Sequence, residues 1–347
     1  MATSTALTRA REHIGELCRT AEDELTFRMA ILDELRRVIG FDAHVWLMTD
    51  PSTCVGSAPL ADVPVLQELP EAIRLKYLTG INRWTQLIVD GRVAASLGSR
   101  RDESRMWREV LSRYEIGDVA SSVYADKYGC WGFLDLWRAE AAGPFGEADI
   151  KFLASVAEPV TKALRSCVAA KFLAPAVAHP RGQGPVVLVL DDHHGVVSQT
   201  AASQEWLDTL LPAQPGRSVV PASAYNVAGQ LAALEEGIDD HPATTRVHLA
   251  EGLWLTVRAA RLGASNIAVT LEEASPTERL DLYARACGLS ARESELLGNL
   301  ASGGDTREVA AQMSVSENTV QDHLKSIFDK TGARNRTTLL GRALGVR

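Results

Sequence analysis

Six polar side chains crowd one short stretch near the C-terminus: Asn318, Thr319, Gln321, Asp322, Lys325 and Ser326. On the opposite side Val320, Leu324, Ile327 and Phe328 recur at i, i+4, i+7 and i+8, the spacing of a helix with one buried face. The polar face is not the alternating Glu and Lys of a solvated helix. Its amide, carboxylate and ammonium groups suit the donor and acceptor pattern of base edges in a DNA major groove. There Gln can pair with adenine through two bonds and Asp can accept from cytosine N4. That chemistry is recognition, with no bond made or broken.

Bond-making chemistry has little support. Carboxylates are plentiful but form no recognisable pair, and no Ser/His/Asp or Cys/His signature stands out. No GxxxxGK[ST] loop exists, so nucleotide hydrolysis is not expected. The five cysteines, Cys18, Cys54, Cys130, Cys167 and Cys287, are scattered without a CxxC. A disulfide framework or zinc site is therefore not expected, and Cys130 reads as a buried thiol before a redox sensor. His193 and His194 read as exposed hairpin-turn residues before metal or haem ligands. No metal, cofactor or enzymatic activity is expected.

The elements that must position the polar face are legible around it. Ser290 and Glu293 make a capping box opening a helix with Leu296, Leu297 and Leu300 inside, broken by Gly303 and Gly304. Asp305 with Glu308 repeats the pattern for a short helix burying Val309, Ala310 and Met313. A three-residue turn, 314–316, leads into the amphipathic helix, with Lys330 in its last turn and Gly332 just past its end. Short helix, tight turn and amphipathic helix form the helix-turn-helix layout.

This segment resembles the LuxR/NarL-type DNA-binding domain over about 60 residues. The resemblance rests on Leu289-Ser-x-Arg-Glu-x-Glu-Leu-Leu, Ala301-x-Gly, Glu308-Val-Ala310, Val315-Ser-Glu-Asn-Thr-Val320-x-x-His323-Leu and Lys330-Thr-Gly-Ala-Arg-Asn-Arg336. It implies four helices and operator binding as a dimer. Base contacts would fall to Gln321, Asp322 and Lys325, and phosphate contacts to Thr306, Arg307, Asn318, Thr319, His323 and Lys330. Gln321 stands where Lys is frequent, and Asp322 puts a carboxylate near the groove at an electrostatic cost. His323 is equally compatible with a packing role.

Further upstream, residues from about 5 to 39 read as helical, with Leu25, Met29, Leu32, Leu35 and Ile39 as the apolar stripe. Residues 43–48 read as a strand, and 121–138 as two strands around a Tyr-Gly turn. On the second of these, Cys130, Gly132, Leu134 and Leu136 alternate with Trp131, Phe133, Asp135 and Trp137. A long helix follows, striped by Ile150, Leu153, Val156, Ala157, Val160, Leu164 and Val168, with a kink expected at Pro159. This order resembles a GAF domain, carried by Gly132-Phe-Leu-Asp-Leu-Trp-Arg138 and Pro144-Phe-Gly-Glu-Ala-Asp149. The resemblance implies a small-ligand or dimerisation module, without the signature of the cyclic-nucleotide-binding members. A ligand cavity lined by some of Trp46, Trp84, Tyr124, Trp131, Phe133 and Trp137 is the site hypothesis; core packing is the alternative for each.

Beyond a Pro/Gly/Ala-rich linker, strands at 186–190, 196–200, 245–250, 253–259 and 266–271, with helix-like 203–211 and 231–238 between them, resemble a PAS-like fold. The opening run Val186–Asp192 also looks like the start of a phosphorylation-driven receiver. The absence of any lysine between Lys171 and Lys325 argues against that reading. Ser275, Pro276 and Glu278 open a connecting helix. The expected architecture is multidomain: an α+β GAF-like sensor (1–173), a linker (174–185), an α+β PAS-like domain (186–272), a connecting helix (273–288) and an all-α four-helix LuxR-type helix-turn-helix domain (289–347).

Charge fits this division. The 347 residues carry a formal charge of −8, whereas 289–347 holds eight basic against seven acidic residues, leaving −9 on the remainder. The sensor portion therefore cannot be what holds DNA. No apolar run approaches a membrane span and the N-terminus has no apolar signal core, so a cytoplasmic protein is expected. The expected partners are a double-stranded DNA operator, a small organic effector and a second copy of the chain as a homodimer, with RNA polymerase a further candidate. The competing reading is a sensor that binds a partner protein and no small molecule.

Overall fold

The computed structural model describes residues 4–173, 186–200, 221–249 and 252–345. The expected linker 174–185 and the helix-like stretch 203–211 lie outside the described residues. Contacts group residues 1–164, 182–247 and 255–272 in one compact unit and residues 165–181, 248–254 and 273–347 in a second. The two sheets thus share a unit where the sequence suggests two separate modules.

The first sheet runs in the order β2-β1-β5-β4-β3, all pairs antiparallel: β1 Ala43–Thr49, β2 Gly56–Asp62, β3 Ala94–Ser96, β4 Ile116–Asp126 and β5 Gly129–Ala139. Edge strand β2 carries Pro59 opposite Leu47, a placement that edge strands tolerate. The N-terminal helical stretch is two helices, α1 Ser4–Arg19 and α2 Glu24–Val38, the second capped by the Asp23 carboxylate on the Thr26 amide. Leu25 and Met29 do not join its buried stripe; they are 47% and 54% exposed, and Phe27, Arg28 and Ile31 face inward beside the expected Leu32 and Leu35. The 3.6-residue period alone fixes the spacing of a stripe but not which of two offset stripes meets the sheet. Arg28 tips the choice by donating to the carbonyls of Trp46 and Ala58 at 3.0 and 2.9 Å.

Helices α3 Leu69–Tyr77, α4 Trp84–Val89 and α5 Arg105–Glu109 follow, and α6 Glu147–Ala170 runs through Pro159 without a break. Residues of the segments 132–138 and 144–149 form a latch. Gly132 is required because a Cβ there would lie 2.8 Å from the Leu47 carbonyl. Arg138 donates to the Ile39, Gly40 and Pro144 carbonyls, and its guanidinium stacks 3.9 Å from the Phe145 ring centroid. Asp149 in turn accepts from the Gly146 amide.

The second sheet, order β7-β6-β10-β9-β8, repeats the first sheet's connectivity: β6 Val186–Asp191, β7 Val196–Gln199, β8 Thr244–His248, β9 Trp254–Leu262 and β10 Asn266–Glu273. Its helix α7 spans Ala222–Glu235, well ahead of the expected 231–238. Ser223, Ala224, Asn226, Val227, Ala228, Gly229, Gln230, Leu231 and Ala233 are all buried, so no polar face exists to create a visible period. His194 is buried in a left-handed turn position, contrary to the expectation for it, while neighbouring His193 is exposed. Burial lowers the His194 pKa to about 4. Among the described residues, no helix is long and apolar enough to cross a membrane.

The second unit holds α8 Pro276–Ala286, with the Ser275/Glu278 capping box present, and four further helices: α9 Ala291–Ala301, α10 Thr306–Gln312, α11 Glu317–Thr331 and α12 Arg336–Leu344.

Candidate nucleic-acid interface and sensor cavity

In the C-terminal helices each capping box is formed with both of its bonds. Ser290 and Glu293 start α9, Asp305 and Glu308 start α10, and Ser316 accepts from the Thr319 amide at 3.1 Å to start α11. Ser314 in the intervening turn adopts φ +55°, a left-handed step that reverses the chain between α10 and α11. Gly332 closes α11 in the same region of backbone space. Val320, Leu324 and Ile327 are buried and Phe328 is half-buried, as the spacing requires.

Asn318, Gln321, Asp322 and Lys325 are exposed on the outer face of α11, with Thr319 and His323 half-buried beside them. Thr306 and Arg307 occupy the first turn of α10. The far end of α11 is different. Ser326 Oγ donates to Glu293 Oε1 at 2.6 Å, and Lys330 Nζ lies 2.6 and 2.8 Å from the two Glu293 oxygens. Burial pushes the Glu293 carboxyl up, and the bonds from Lys330, Ser326 and Ser290 outweigh it, bringing its pKa to about 2. Lys330 and Ser326 therefore brace α11 against α9, a role that sequence reading of Glu293 as a helix cap alone does not reveal. Arg336 ties α12 back to the Gly304 carbonyl at 2.6 Å.

In the N-terminal unit a cavity of about 490 Å³ opens between β1, β2 and β5 of the first sheet and helix α3, with Ala222 and Asn226 of α7 at its border. Strand alternation sends Val45, Leu47, Phe133, Asp135 and Trp137 to this side. Of the six aromatic residues predicted to line a pocket, Phe133 and Trp137 do so. Trp84 stands behind them, stacked on Phe133 with centroids 4.2 Å apart and donating from Nε1 to the Cys54 carbonyl. Trp46 and Tyr124 stack on each other, and Trp46 alternates with the cavity-side residues Val45 and Leu47, so these two do not line it. Trp131 is removed by a β-bulge. Ala125 pairs with Cys130 and Tyr124 with Gly132, so Trp131 is the extra residue and Cys130 joins the same buried cluster as Phe133. Simple alternation, which put Trp131 beside Phe133, cannot see a bulge.

The cavity walls are aliphatic, from Val63, Leu66, Leu69 and Ile73 among others, around a small polar group. Lys76 Nζ pairs with Asp135 at 2.6 Å, and Ser121 donates to the same carboxylate at 2.6 Å. Trp137 Nε1 and Asn226 Nδ2 are buried donors without a hydrogen-bond partner. An apolar pocket with a few convergent polar groups is the usual form of a small-molecule site. Lys76, Asp135 and Asn226 carry no sequence signal; they converge from helix α3, strand β5 and helix α7.

Comparison with known proteins bears on the C-terminal helices. Residues 288–343 match the family described as bacterial regulatory proteins, luxR family. The chain is 50% identical over 48 residues to the probable transcriptional regulatory protein SgaR of Hyphomicrobium methylovorum, covering 14% of this chain and 23% of that protein. It is 39% identical over 71 residues to the probable HTH-type transcriptional regulator GfsR of Streptomyces halstedii, covering 20% and 29%. The chain thus spans about a quarter of the length of these relatives. Among solved structures, SdiA in complex with octanoyl-rac-glycerol is 13% identical with a TM-score of 0.30, over 100% of this chain and 97% of that one. The capped helices and the left-handed turn lie within residues 288–343, which form a helix-turn-helix and match the luxR family of bacterial regulatory proteins.

Proposed function

We propose that the chain is a transcriptional regulator in which a GAF-like, ligand-sensing module and a PAS-like second domain control a dimeric LuxR-type reader. The observation that carries the DNA-reading half is the exposed Gln321, Asp322 and Lys325 face of α11, whose opposite face is buried. Base edges fall to those three residues and phosphates to Thr306, Arg307, Asn318, Thr319 and His323, with Lys330 acting through its brace as well as its charge. Mechanistically, an effector that binds one arrangement of the sensor better shifts the population toward it and so changes the spacing of two reading helices. The operator is double-stranded DNA with two half-sites. No catalytic step is assigned, and the cytoplasm is the compartment this role requires.

Lys325→Ala is expected to relax discrimination at about one base position by ~1–3 kcal/mol while leaving non-specific binding nearly intact. Selection of bound sites from a random DNA pool, repeated at two salt concentrations, measures it. An unchanged preference at every position removes Lys325 from the reading set.

The effector is a compact molecule with an aliphatic body and a carbonyl or carboxylate acceptor, since the cavity offers apolar walls and the unpartnered donors of Trp137 and Asn226. A thermal-shift screen of the full chain is expected to find stabilisation by such a compound, near 2.7 kcal/mol at about a hundredfold excess over Kd. That gain should disappear in a Trp137→Phe variant. The exposed Leu25 and Met29 favour the second reading, a partner-binding sensor. Stabilisation by a protein ligand with none by any small molecule would select it.

A further inference from the structure

Lys76 and Asp135, the ion pair in the cavity wall, are unequal partners. Asp135 is fixed on strand β5 between its same-side neighbours Phe133 and Trp137 and is 3% exposed. Ser121 donates to its Oδ1 at 2.6 Å, and Lys76 Nζ takes Oδ2 at the same distance. The Lys76 ammonium also lies 5.7 Å from the Phe133 ring centroid and 6.0 Å from that of Trp84, within reach of cation–π attraction. A carboxylate oxygen and two stacked rings thus surround a positive charge that the chain itself supplies. That charge sits at the end of a four-carbon stem in the last turn of α3, and the side chain is 15% exposed. It can swing toward water with no movement of the backbone.

We propose that the cavity binds an organic ammonium, an aliphatic amine that also carries a carboxylate, and that the ligand's ammonium replaces that of Lys76 on Asp135. The proposal rests on the ligand-sensing reading above and adds the charge that the ligand must carry. The carboxylate end accepts from Trp137 Nε1 and Asn226 Nδ2, the two buried donors without a partner. Trp137 follows Asp135 by two residues, about 7 Å along the strand, so a short methylene chain separates the two charged ends.

The sign of the charge follows from which partner is free to move. A plain carboxylate set on Lys76 would lie against the fixed Asp135 carboxylate and be repelled by it. An incoming ammonium replaces like with like. Ser121 stays in place, the charge at the wall is unchanged, and the displaced lysine regains rotamer freedom. Lys76 is then a tethered competitor that sets the ligand concentration at which the sensor responds. Its release also frees the last turn of α3, on which α7 packs so closely that a Cβ at Gly229 would lie 3.0 Å from the Tyr77 ring.

The test is titration of the full chain with 5-aminovalerate, pentylamine and valerate at constant ionic strength, read by tryptophan fluorescence and by the shift in melting temperature. 5-Aminovalerate should bind tightest, pentylamine next and valerate least. The dissociation constants of the first and last should differ by at least ~10-fold, the weight of one charge-assisted hydrogen bond. Asp135→Asn should weaken 5-aminovalerate by a similar factor. Lys76→Met removes the competitor and should tighten it by ~3-fold or more. Valerate binding as tightly as 5-aminovalerate, or weaker binding of 5-aminovalerate by folded Lys76→Met, overturns the proposal and leaves a ligand sensor that takes a plain acid. Silence with all three overturns it too, and the ligand-sensing reading falls with it only if the wider small-molecule screen is also empty. Because the order of the three ligands is read on the wild-type chain, a variant that fails to fold leaves the test intact.

Discussion

Asp50→Ala should lower the stability of the N-terminal unit by about 3–5 kcal/mol, the largest loss expected from any single side chain considered above. Asp50 and Arg246 are both buried. Arg246 donates to the carboxylate from its backbone amide at 3.0 Å and from two guanidinium nitrogens at 2.6 and 2.7 Å. The carboxylate also accepts from the Ser52 amide at 2.9 Å, which shapes the turn. Burial pushes Asp50 up and Arg246 with these bonds more than offsets it, so the group remains ionised well below its ordinary range. Removing it takes the doubly bonded carboxylate from a buried guanidinium and frees the turn that carries Thr53 and Cys54. Urea titration of the full chain, followed by tryptophan fluorescence, measures the loss. Arg246→Met, which removes the charge but keeps the stem, should be less damaging than Arg246→Ala. Equal stability of Asp50→Ala and wild type would mean that the pair is neutral and the sheets hold together by apolar contact alone.

Glu293→Ala is the second large effect, about 2 kcal/mol against the helix-turn-helix domain together with weaker binding to every DNA sequence alike. Two losses add: about 1 kcal/mol for the capping bond to the Ser290 amide, and a similar amount for Ser326 and Lys330. Lys330 is 37% exposed, so water screens its ion pair and keeps that share small. Lys330→Ala alone leaves a buried carboxylate short of its best partner. The double variant should therefore be less destabilised than the sum of the singles, a coupling that a double-mutant cycle reads directly. The sign with pH follows from the depressed carboxyl. Its stabilisation is present above about 4.5 and is lost as pH falls toward about 2. Wild-type acid unfolding should steepen in that window and Glu293→Ala should lack the step.

Legibility in the sequence followed the range of the interactions. Ser275 with Glu278, Ser290 with Glu293 and Asp305 with Glu308 are three residues apart, so each helix start could be read from adjacent letters. The Val320, Leu324, Ile327 stripe was legible for the same reason. Helix α7 is hard to place from sequence because it is buried nearly all round, and Leu25 and Met29 read as inward because two stripes fit one period. Trp131 defeated alternation through a single extra residue in β5. Least visible of all were pairs far apart in the chain. Cys54 meets His241 and Asp50 meets Arg246 across 187 and 196 positions, and no local pattern marks either.

On the proposed function, the brace on α11 also bears on how much information one copy would extract from DNA. With Ser326 and Lys330 engaged by Glu293, the assigned reading positions run only from Gln321 to Lys325, about 6 Å along the helix axis at 1.5 Å per residue. At 3.4 Å per base-pair step that length faces roughly two base pairs. A word of two letters in a four-letter alphabet recurs by chance about once in every 16 positions, so a single reader is close to blind on a chromosome. Addressing one site then requires several short words at a fixed interval, and whatever sets that interval governs the message more than any base contact does.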